Sequence, residues 1–115
     1  MDLDFSTGEA AFQDRVLNGA VTRLENAVVA FFWEGGEPRL GTLTVTLPDR
    51  SSSPLLGERD RQIGLVLGAH LAAKSGKMTL VSVNLPLGLG DAAGKVLLGL
   101  AERLMGDVGA KEDSK

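Results

Sequence analysis

The amino-acid sequence predicts a small α+β domain, in which an antiparallel β-sheet is covered on one face by two α-helices. Strand-like segments fill the first half of the chain, and both helical patterns lie in the second half with one strand-like segment between them. The length of 115 residues fits a single domain. Strands that precede helices in this way are typical of α+β proteins.

The composition argues against several classes of function. Hydrophobic residues make up 43% of the chain and charged residues 23%, which is ordinary for a globular protein. The net charge is −3 and the basic residues are scattered, so nucleic acid is not an expected partner. No cysteine is present, which excludes disulfides and thiolate metal sites. Residues 1–11 lack the apolar core of a signal peptide, and no apolar run is long enough to span a membrane. We therefore expect a cytoplasmic protein without membrane contact. If the cell is eukaryotic, the nucleus is an alternative location.

The N-terminal half is expected to form the first strands of the sheet. Residues 1–11 form a lead-in or an edge strand, and residues 12–24 form a strand that is partly buried on both faces. Asn18-Gly19 either divides this strand as a hairpin turn or forms a bulge within it, and Glu25-Asn26 is the competing turn. Residues 27–33 are rich in β-branched and aromatic side chains, which predicts a central strand.

Residues 40–47 alternate cleanly and predict a half-exposed strand that pairs as a hairpin with the strand before it. Leu43, Val45 and Leu47 share one face of this strand, and three threonines share the other. The segment Pro48–Pro54 contains three serines between two prolines, which predicts a flexible loop.

Two helices and one strand complete the predicted domain, which spans residues 12–106. Residues 60–75 follow helical spacing, Gly76 stands where a C-terminal cap belongs, and residues 78–83 form a strand. Asp91 is placed to cap a second helix that runs to Met105 and ends at Gly106. Residues 107–115 form a polar tail that we expect to be disordered.

A glycine-rich segment between the last strand and the second helix raises the question of a nucleotide site. Residues 88–95 occupy the position that a phosphate-binding loop would have. The spacing fails, because Leu89 stands at the first glycine position and Val96 replaces the hydroxyl residue that would hold a metal ion. A plain glycine-rich turn is the better interpretation, and we expect no cofactor.

The sequence contains no recognisable catalytic set, so we expect that the protein is not an enzyme. His70 is the only histidine, and without cysteine or a second histidine it predicts no transition-metal site. Ser51, Ser52 and Ser53 would need an orienting histidine to act as nucleophiles, and none follows them at a plausible position.

Small residues form a stripe along the first predicted helix, where Gly64, Gly68 and Ala72 are spaced by four. Two interpretations stay open for this stripe. It either allows the helix to pack closely on the sheet, or it forms a helix–helix contact across a dimer interface.

Three segments of the C-terminal half keep the mutual spacing of a known family. They are Leu55-Leu56-Gly57 after the loop, Leu71-Ala72-Ala73-Lys74-Ser75 on the first helix and Ser82-Val83-Asn84-Leu85 at the end of a strand. With these segments the chain resembles the proteasome assembly chaperone 3 and 4 family, and its fourth member most closely. The resemblance covers residues 12–105.

The resemblance implies a six-stranded antiparallel sheet with two helices, and a non-enzymatic chaperone that promotes assembly of the α-ring of the 20S proteasome. The implied partners are the proteasome α-subunits, together with a second copy of the chain or a paralogous assembly chaperone. The family also favours one long strand over a hairpin at Asn18-Gly19. The chain departs from the fourth member at Glu58–Arg61, where that member has small hydroxyl residues.

The family links the loop before its Leu-Leu-Gly segment to contact with α-subunits, and function concentrates on loops that a rigid scaffold holds. We expect the contact in two groups of residues, Asp49, Arg50, Ser51, Ser52 and Ser53 in the loop and Glu58, Arg59, Asp60 and Arg61 at the helix start. Leu55 and Leu56 are expected to anchor the loop in the core. A solvated connection between strand and helix is the alternative interpretation.

A second function stays open beside the chaperone. Small dimerising scaffolds or regulatory modules of the roadblock or longin kind also combine a sheet with two helices. Capture of proteasome α-subunits or of membrane-traffic components would separate the two functions.

Overall fold

The computed structural model describes residues 3–113. In chain order the elements are β1 (Phe5–Phe12), β2 (Arg15–Arg23), β3 (Ala27–Glu34), β4 (Thr42–Thr46), β5 (Ser52–Leu56), α1 (Arg61–Ser75), β6 (Met78–Asn84) and α2 (Gly90–Asp113). The strands form one six-stranded sheet in the order β1-β2-β3-β6-β4-β5. The predicted α+β class with two helices is therefore confirmed.

The sheet is mixed and not antiparallel, which corrects the prediction. Strands β3 and β6 pair in parallel, while the other neighbouring strands pair antiparallel. Strand β6 lies between β3 and β4, so the predicted β3–β4 hairpin is also wrong. The physical reason is burial, because β3 and β6 are apolar on both faces and such strands are stable at the centre of a sheet.

The first two strands form a hairpin whose turn the sequence did not reveal. The chain reverses at Gln13 and Asp14, and Gln13 has a φ of 56°. Asn18 and Gly19 lie inside β2, opposite Glu9 and Gly8, so they are neither the hairpin turn nor a bulge. The turn at 25–26 between β2 and β3 is confirmed.

Both helices pack on the same face of the sheet, as predicted. Helix α1 contacts β4 and β6, helix α2 contacts β1 and β2, and the helices contact each other. The buried core lies between these layers and contains Val21, Val28, Phe32, Leu67, Leu71, Val81, Leu97, Leu100 and Leu104. Gly19 gives α2 room to approach, because a Cβ there would lie 3.1 Å from both Leu100 and Leu104.

Helix α1 rests on the threonines of β4. Thr42, Thr44 and Thr46 are all buried, and they share the helix-covered face with Val81 and Val83. Gly64 and Gly68 lie directly above them, since a Cβ at Gly68 would be 2.6 Å from the Thr46 hydroxyl. Strand β4 therefore turns its apolar residues, Leu43 and Val45, toward the other face of the sheet.

The helix ends are partly as predicted. Gly76 caps α1 with a φ of 71°, and its N–H donates to the Ala72 carbonyl at 2.8 Å. Helix α2 continues to Asp113, so its predicted end at Gly106 is wrong.

The division into a domain of residues 12–106 and a disordered tail of 107–115 stays a prediction, and positions 114 and 115 lie outside the described residues. Within the described part of the chain, neither helix combines the length and the apolar character that a membrane span requires.

Replacement of Gly68 by Val is expected to lower the free energy of unfolding by about 1–3 kcal/mol, because the new side chain would overlap Thr46 in a packed layer. Gly99 is the matched control, since it lies in α2 and a Cβ there meets nothing within 4 Å. Gly99→Ala should raise the same quantity by up to about 1 kcal/mol through helix propensity. Urea unfolding measures the change in the free energy of unfolding for both variants. If Gly68→Val were as stable as the parent protein, the close packing of α1 on β4 would be contradicted.

Candidate protein–protein interfaces

The predicted contact loop is shorter and more ordered than its composition suggested. The Leu47 N–H donates to the Ser51 carbonyl at 2.8 Å, and the Arg50 N–H donates to the Leu47 carbonyl at 2.9 Å. Ser52 and Ser53 belong to β5, which pairs with β4. The prediction of a flexible loop over Pro48–Pro54 is therefore wrong, because pairing with β4 makes its second half a strand.

Asp49 holds the turn between β4 and β5. Its Oδ1 accepts hydrogen bonds from the Ser51 hydroxyl at 2.6 Å and from the Ser51 N–H at 2.8 Å. These two hydrogen bonds, the one from the hydroxyl first, lower the pKa of Asp49. The turn thus has its own local stabilisation and presents Arg50 with a φ of 74°.

Strand β5 exposes all five of its residues at one edge of the sheet. Leu55 and Leu56 are 53% and 57% exposed, so they do not anchor the segment in the core as predicted. Leu56 pairs with Leu43 and therefore lies on the side of the sheet that the helices leave free. Two adjacent exposed leucines on an edge strand are typical of a surface that a partner covers.

The charged segment between β5 and α1 has a defined conformation. Asp60 has a φ of 63°, and its carboxylate lies 3.8 Å from the Arg59 guanidinium. Burial raises the pKa of Asp60, and the charge of Arg59 opposes this effect. The Thr42 hydroxyl donates to the Arg59 carbonyl, which fixes the segment to the sheet. Arg61 also donates to the Gly57 carbonyl, at 3.4 Å.

The structure does not bring the two predicted contact groups together. The turn residues 49–51 precede β5 and residues 58–61 follow it. A strand of this length separates them by roughly 17 Å. They form two polar patches at opposite ends of β5, with Leu55 and Leu56 between them, and we call this surface the β5 edge.

The small-residue stripe lies inside the monomer. Gly64, Gly68 and Ala72 are buried residues of α1. The two glycines pack against Thr44 and Thr46 of the sheet. Close packing on the sheet therefore occupies the helix face that the second of the two interpretations assigned to a dimer interface.

The sheet face opposite the helices is an apolar surface that sequence reasoning missed. It presents Phe5, Ala20, Val29, Phe31, Trp33, Leu43, Val45, Leu56 and Leu80, and we call it the open face. Among its described strand residues, Glu9 is the one charged side chain. The sequence did contain a signal for this face. Strands β3 and β6 are apolar on both sides, and two helices that pack on one side of the sheet leave the other apolar side uncovered.

The β1–β3 half of the open face is concave. A basin of about 810 Å³ is lined by residues that include Phe5, Phe31, Trp33 and Leu40. The rings of Phe5 and Phe31 are 6.4 Å apart and tilted by 45°. The indole N–H of Trp33 is buried without a hydrogen-bond partner.

The connection between β3 and β4, residues 35–41, borders this basin and is fixed at both ends. Asn18 donates to the Gly35 carbonyl at 2.7 Å, and Asn84 donates to the Leu40 carbonyl at 3.0 Å. The Gly41 N–H donates to the Ser82 hydroxyl at 2.9 Å. Because side chains of the sheet itself hold both ends, the rim of the basin is part of the folded structure.

The residues considered for chemistry are dispersed. His70 Nε2 lies 3.2 Å from Glu102 Oε1 and joins α1 to α2. The cavity of about 370 Å³ beside the start of α2 is lined by Glu58, Asp60, Arg61 and Asp91, so that both acidic and basic groups surround it. Within residues 3–113, no group of three or more His, Cys, Asp or Glu side chains is placed to hold a metal ion.

Comparison with known proteins finds similarity at the level of structure. No family model matches the sequence, and no curated protein matches it. The fold is similar to that of a chain in the crystal structure of a chaperone complex for yeast 20S proteasome assembly, with a TM-score of 0.69 and 13% sequence identity. The match covers 96% of this chain and 98% of that chain. The chain therefore shares its fold with a chain of that complex over 96% of its length.

Replacement of Ser51 by Ala is expected to raise the pKa of Asp49 toward its ordinary value, because the hydroxyl that donates to the carboxylate is removed. Since folding lowers this pKa, the carboxylate stabilises the native turn above its unfolded pKa, and the effect is lost as the pH falls. NMR titration of the carboxyl carbon measures the shift. Ser53→Ala is the control, because its hydroxyl donates to the Pro54 carbonyl and should leave Asp49 unchanged.

Proposed function

We propose that this protein is a non-enzymatic chaperone that promotes assembly of the 20S proteasome α-ring by binding α-subunits, as a homodimer or as a heterodimer with a paralogous chaperone. The observation behind this proposal is the fold shared with a chain of the yeast assembly-chaperone complex, which spans nearly all of both chains. The segments that resemble the proteasome assembly chaperone 3 and 4 family support the same function. The assignment to the fourth member and the cytoplasmic location stay predictions.

The β5 edge is the surface that we assign to α-subunits. It combines exposed leucines with charged groups at both ends, which is the usual anatomy of a protein interface with an apolar centre and a polar rim. Local hydrogen bonds hold both polar patches in place, so little ordering is needed on binding. The charged residues Glu58–Arg61 then set orientation and association rate more than affinity.

The absence of enzymatic activity is part of the proposal. His70, the single histidine, lies 3.2 Å from Glu102 in a contact that joins the two helices. The larger features of the surface are apolar, which suits contact with protein.

Capture of recombinant α-subunits by the immobilised protein tests this function. Leu55→Ser should weaken capture by about tenfold, because the centre of the interface loses an apolar contact. Val66→Ser is the matched control, since Val66 is 54% exposed on α1, away from β5, and should leave capture unchanged.

Reversal of charge at Arg59 and Arg61 should mainly slow association and change its salt dependence, which surface plasmon resonance resolves. Capture of no α-subunit by the parent protein would overturn the chaperone function. Normal capture by both the Leu55 variant and the charge-reversed variant would instead move the contact away from the β5 edge. Recovery of membrane-traffic components in place of α-subunits would favour the roadblock or longin kind of scaffold.

A further inference from the structure

We propose that the outer edge of strand β1 binds an extended peptide segment of another protein as an added antiparallel strand, with a basic residue of the peptide opposite Glu9. Strand β1 lies at the end of the sheet opposite to β5. The inference therefore goes beyond the proposed function, which assigns α-subunits to the β5 edge. It names a second interaction surface and the chemistry of the segment that this surface fits.

The backbone groups of every second β1 residue point away from the sheet. The Gly35 N–H donates to the Val16 carbonyl at 3.1 Å, so Val16 turns its backbone groups toward the β3 side. Since these groups alternate along a strand, Leu17 turns toward β1, where it pairs with Ala10. Ala10 therefore faces β2. The groups that point outward belong to Phe5, Thr7, Glu9 and Ala11, and we call this row the β1 edge.

Two side chains support this direction independently. Arg103 Nη2 on α2 donates to the Glu9 carbonyl at 2.7 Å, as expected for a carbonyl that β2 does not use. The Thr22 hydroxyl on β2 donates to the Asp4 carbonyl at 2.8 Å, which places the residues of even number on the β2 side. Within the described part of the chain, the Glu9 carbonyl is the one backbone group of the β1 edge with a hydrogen-bond partner. The remaining groups of the row are left to water or to another strand.

The two outer strands of the sheet differ in how far they resist the addition of a strand. Natural sheets protect their edges with short strands, proline and irregular pairing. Strand β5 has five residues, contains Pro54 and shifts its register with β4 between Leu43 and Thr44. Strand β1 has eight residues, pairs with β2 in continuous register and contains no proline. Of the two outer strands, β1 is therefore the one whose backbone can accept a partner.

The side chains of the β1 edge select the peptide. Phe5, Thr7 and Glu9 are exposed and line the basin of the open face. Opposite residues of an antiparallel pair share a face, so the peptide side chains beside them lie on the same side of the sheet. Glu9 has no ion-pair partner among the described residues, and a Lys or Arg opposite it supplies one. An aromatic residue opposite Phe5 extends the contact that Phe5 makes with Phe31.

Antiparallel pairing fixes the order of these residues in the peptide. The peptide runs from the Ala11 end of β1 toward Phe5, so its basic residue comes first. A β-branched residue follows two positions later opposite Thr7, and the aromatic residue stands two positions after that. The recognised pattern is thus basic, β-branched and aromatic, with one unspecified residue between each.

Arg103 controls access to the centre of the β1 edge. Its guanidinium occupies the Glu9 carbonyl, which an added strand would use. Arg103 is exposed, so its long side chain has room to release the carbonyl when the peptide binds. Removal of the guanidinium should therefore strengthen peptide binding, because the competing hydrogen bond is lost.

Fluorescence anisotropy of a labelled peptide, Thr-Lys-Thr-Val-Thr-Phe-Thr with blocked ends, tests the inference on the full chain. Binding should be saturable below millimolar protein. Methylation of the valine nitrogen should weaken binding at least about tenfold, because this N–H donates to the Thr7 carbonyl. Methylation of the next nitrogen is the matched control, since that N–H points away from β1. It should leave the dissociation constant within about threefold.

Variants of the protein test the same contact from the other side. Thr7→Pro removes an outward N–H without taking a hydrogen bond from the β1–β2 ladder, and it should weaken binding about tenfold. Thr7→Val keeps the N–H and is the control. Glu9→Lys should weaken binding, and a peptide with Glu in place of Lys should restore it. Arg103→Ala should strengthen binding several-fold, and circular dichroism checks that all variants fold.

Absence of saturable binding, or equal loss on methylation of the two nitrogens, would overturn the inference. Equal affinity of Thr7→Pro and Thr7→Val would do the same. Self-association of the parent protein that Thr7→Pro abolishes would assign the β1 edge to a second copy and so overturn it as well. A parent that captures α-subunits but binds no peptide would leave the proposed function intact. Peptide binding without capture of α-subunits would support the inference and overturn the function.

Discussion

Parallel pairing between β3 and β6 organises the rest of the structure. These two strands are apolar on both faces, so their pairing concentrates the least polar part of the chain at the centre of the sheet. It displaces β4 and β5 to one side and leaves the β1–β2 hairpin on the other. The crossover through α1, which parallel pairing requires, places that helix on the face that it must cover.

Helix packing then decides which face of each strand is buried. Gly64 and Gly68 let α1 approach the threonines of β4, and Gly19 lets α2 approach β2. The Thr44 and Thr46 hydroxyls are buried there without hydrogen-bond partners, which is a cost that the close packing offsets. Because the threonines face the helix, Leu43 and Val45 face outward, and the apolar open face is the consequence.

The β5 edge and the open face occupy different parts of the molecule. The β5 edge is formed by one outer strand and the connections on either side of it, whereas the open face is centred on β3 and β6. Leu56 belongs to both, since it lies on β5 and pairs with Leu43 on the open face.

The sequence by itself determined the elements that rest on local patterns. The apolar run at 27–33, the helical spacing at 60–75 with its glycine cap, and the two helices on one face all followed from periodicity and turn chemistry. The family resemblance and the loop composition pointed to the residues of the β5 edge, whose role stays a prediction, and neither of them indicated that Leu55 and Leu56 are exposed.

Tertiary structure alone decided the parallel pairing, the hairpin turn at 13–14 and the open face. Pairing partners are chosen by long-range burial, and an alternating strand such as β4 does not reveal which of its faces a helix will cover. The β4 threonines look solvent-exposed by composition, and they are buried because the glycines that meet them lie some twenty residues away on α1.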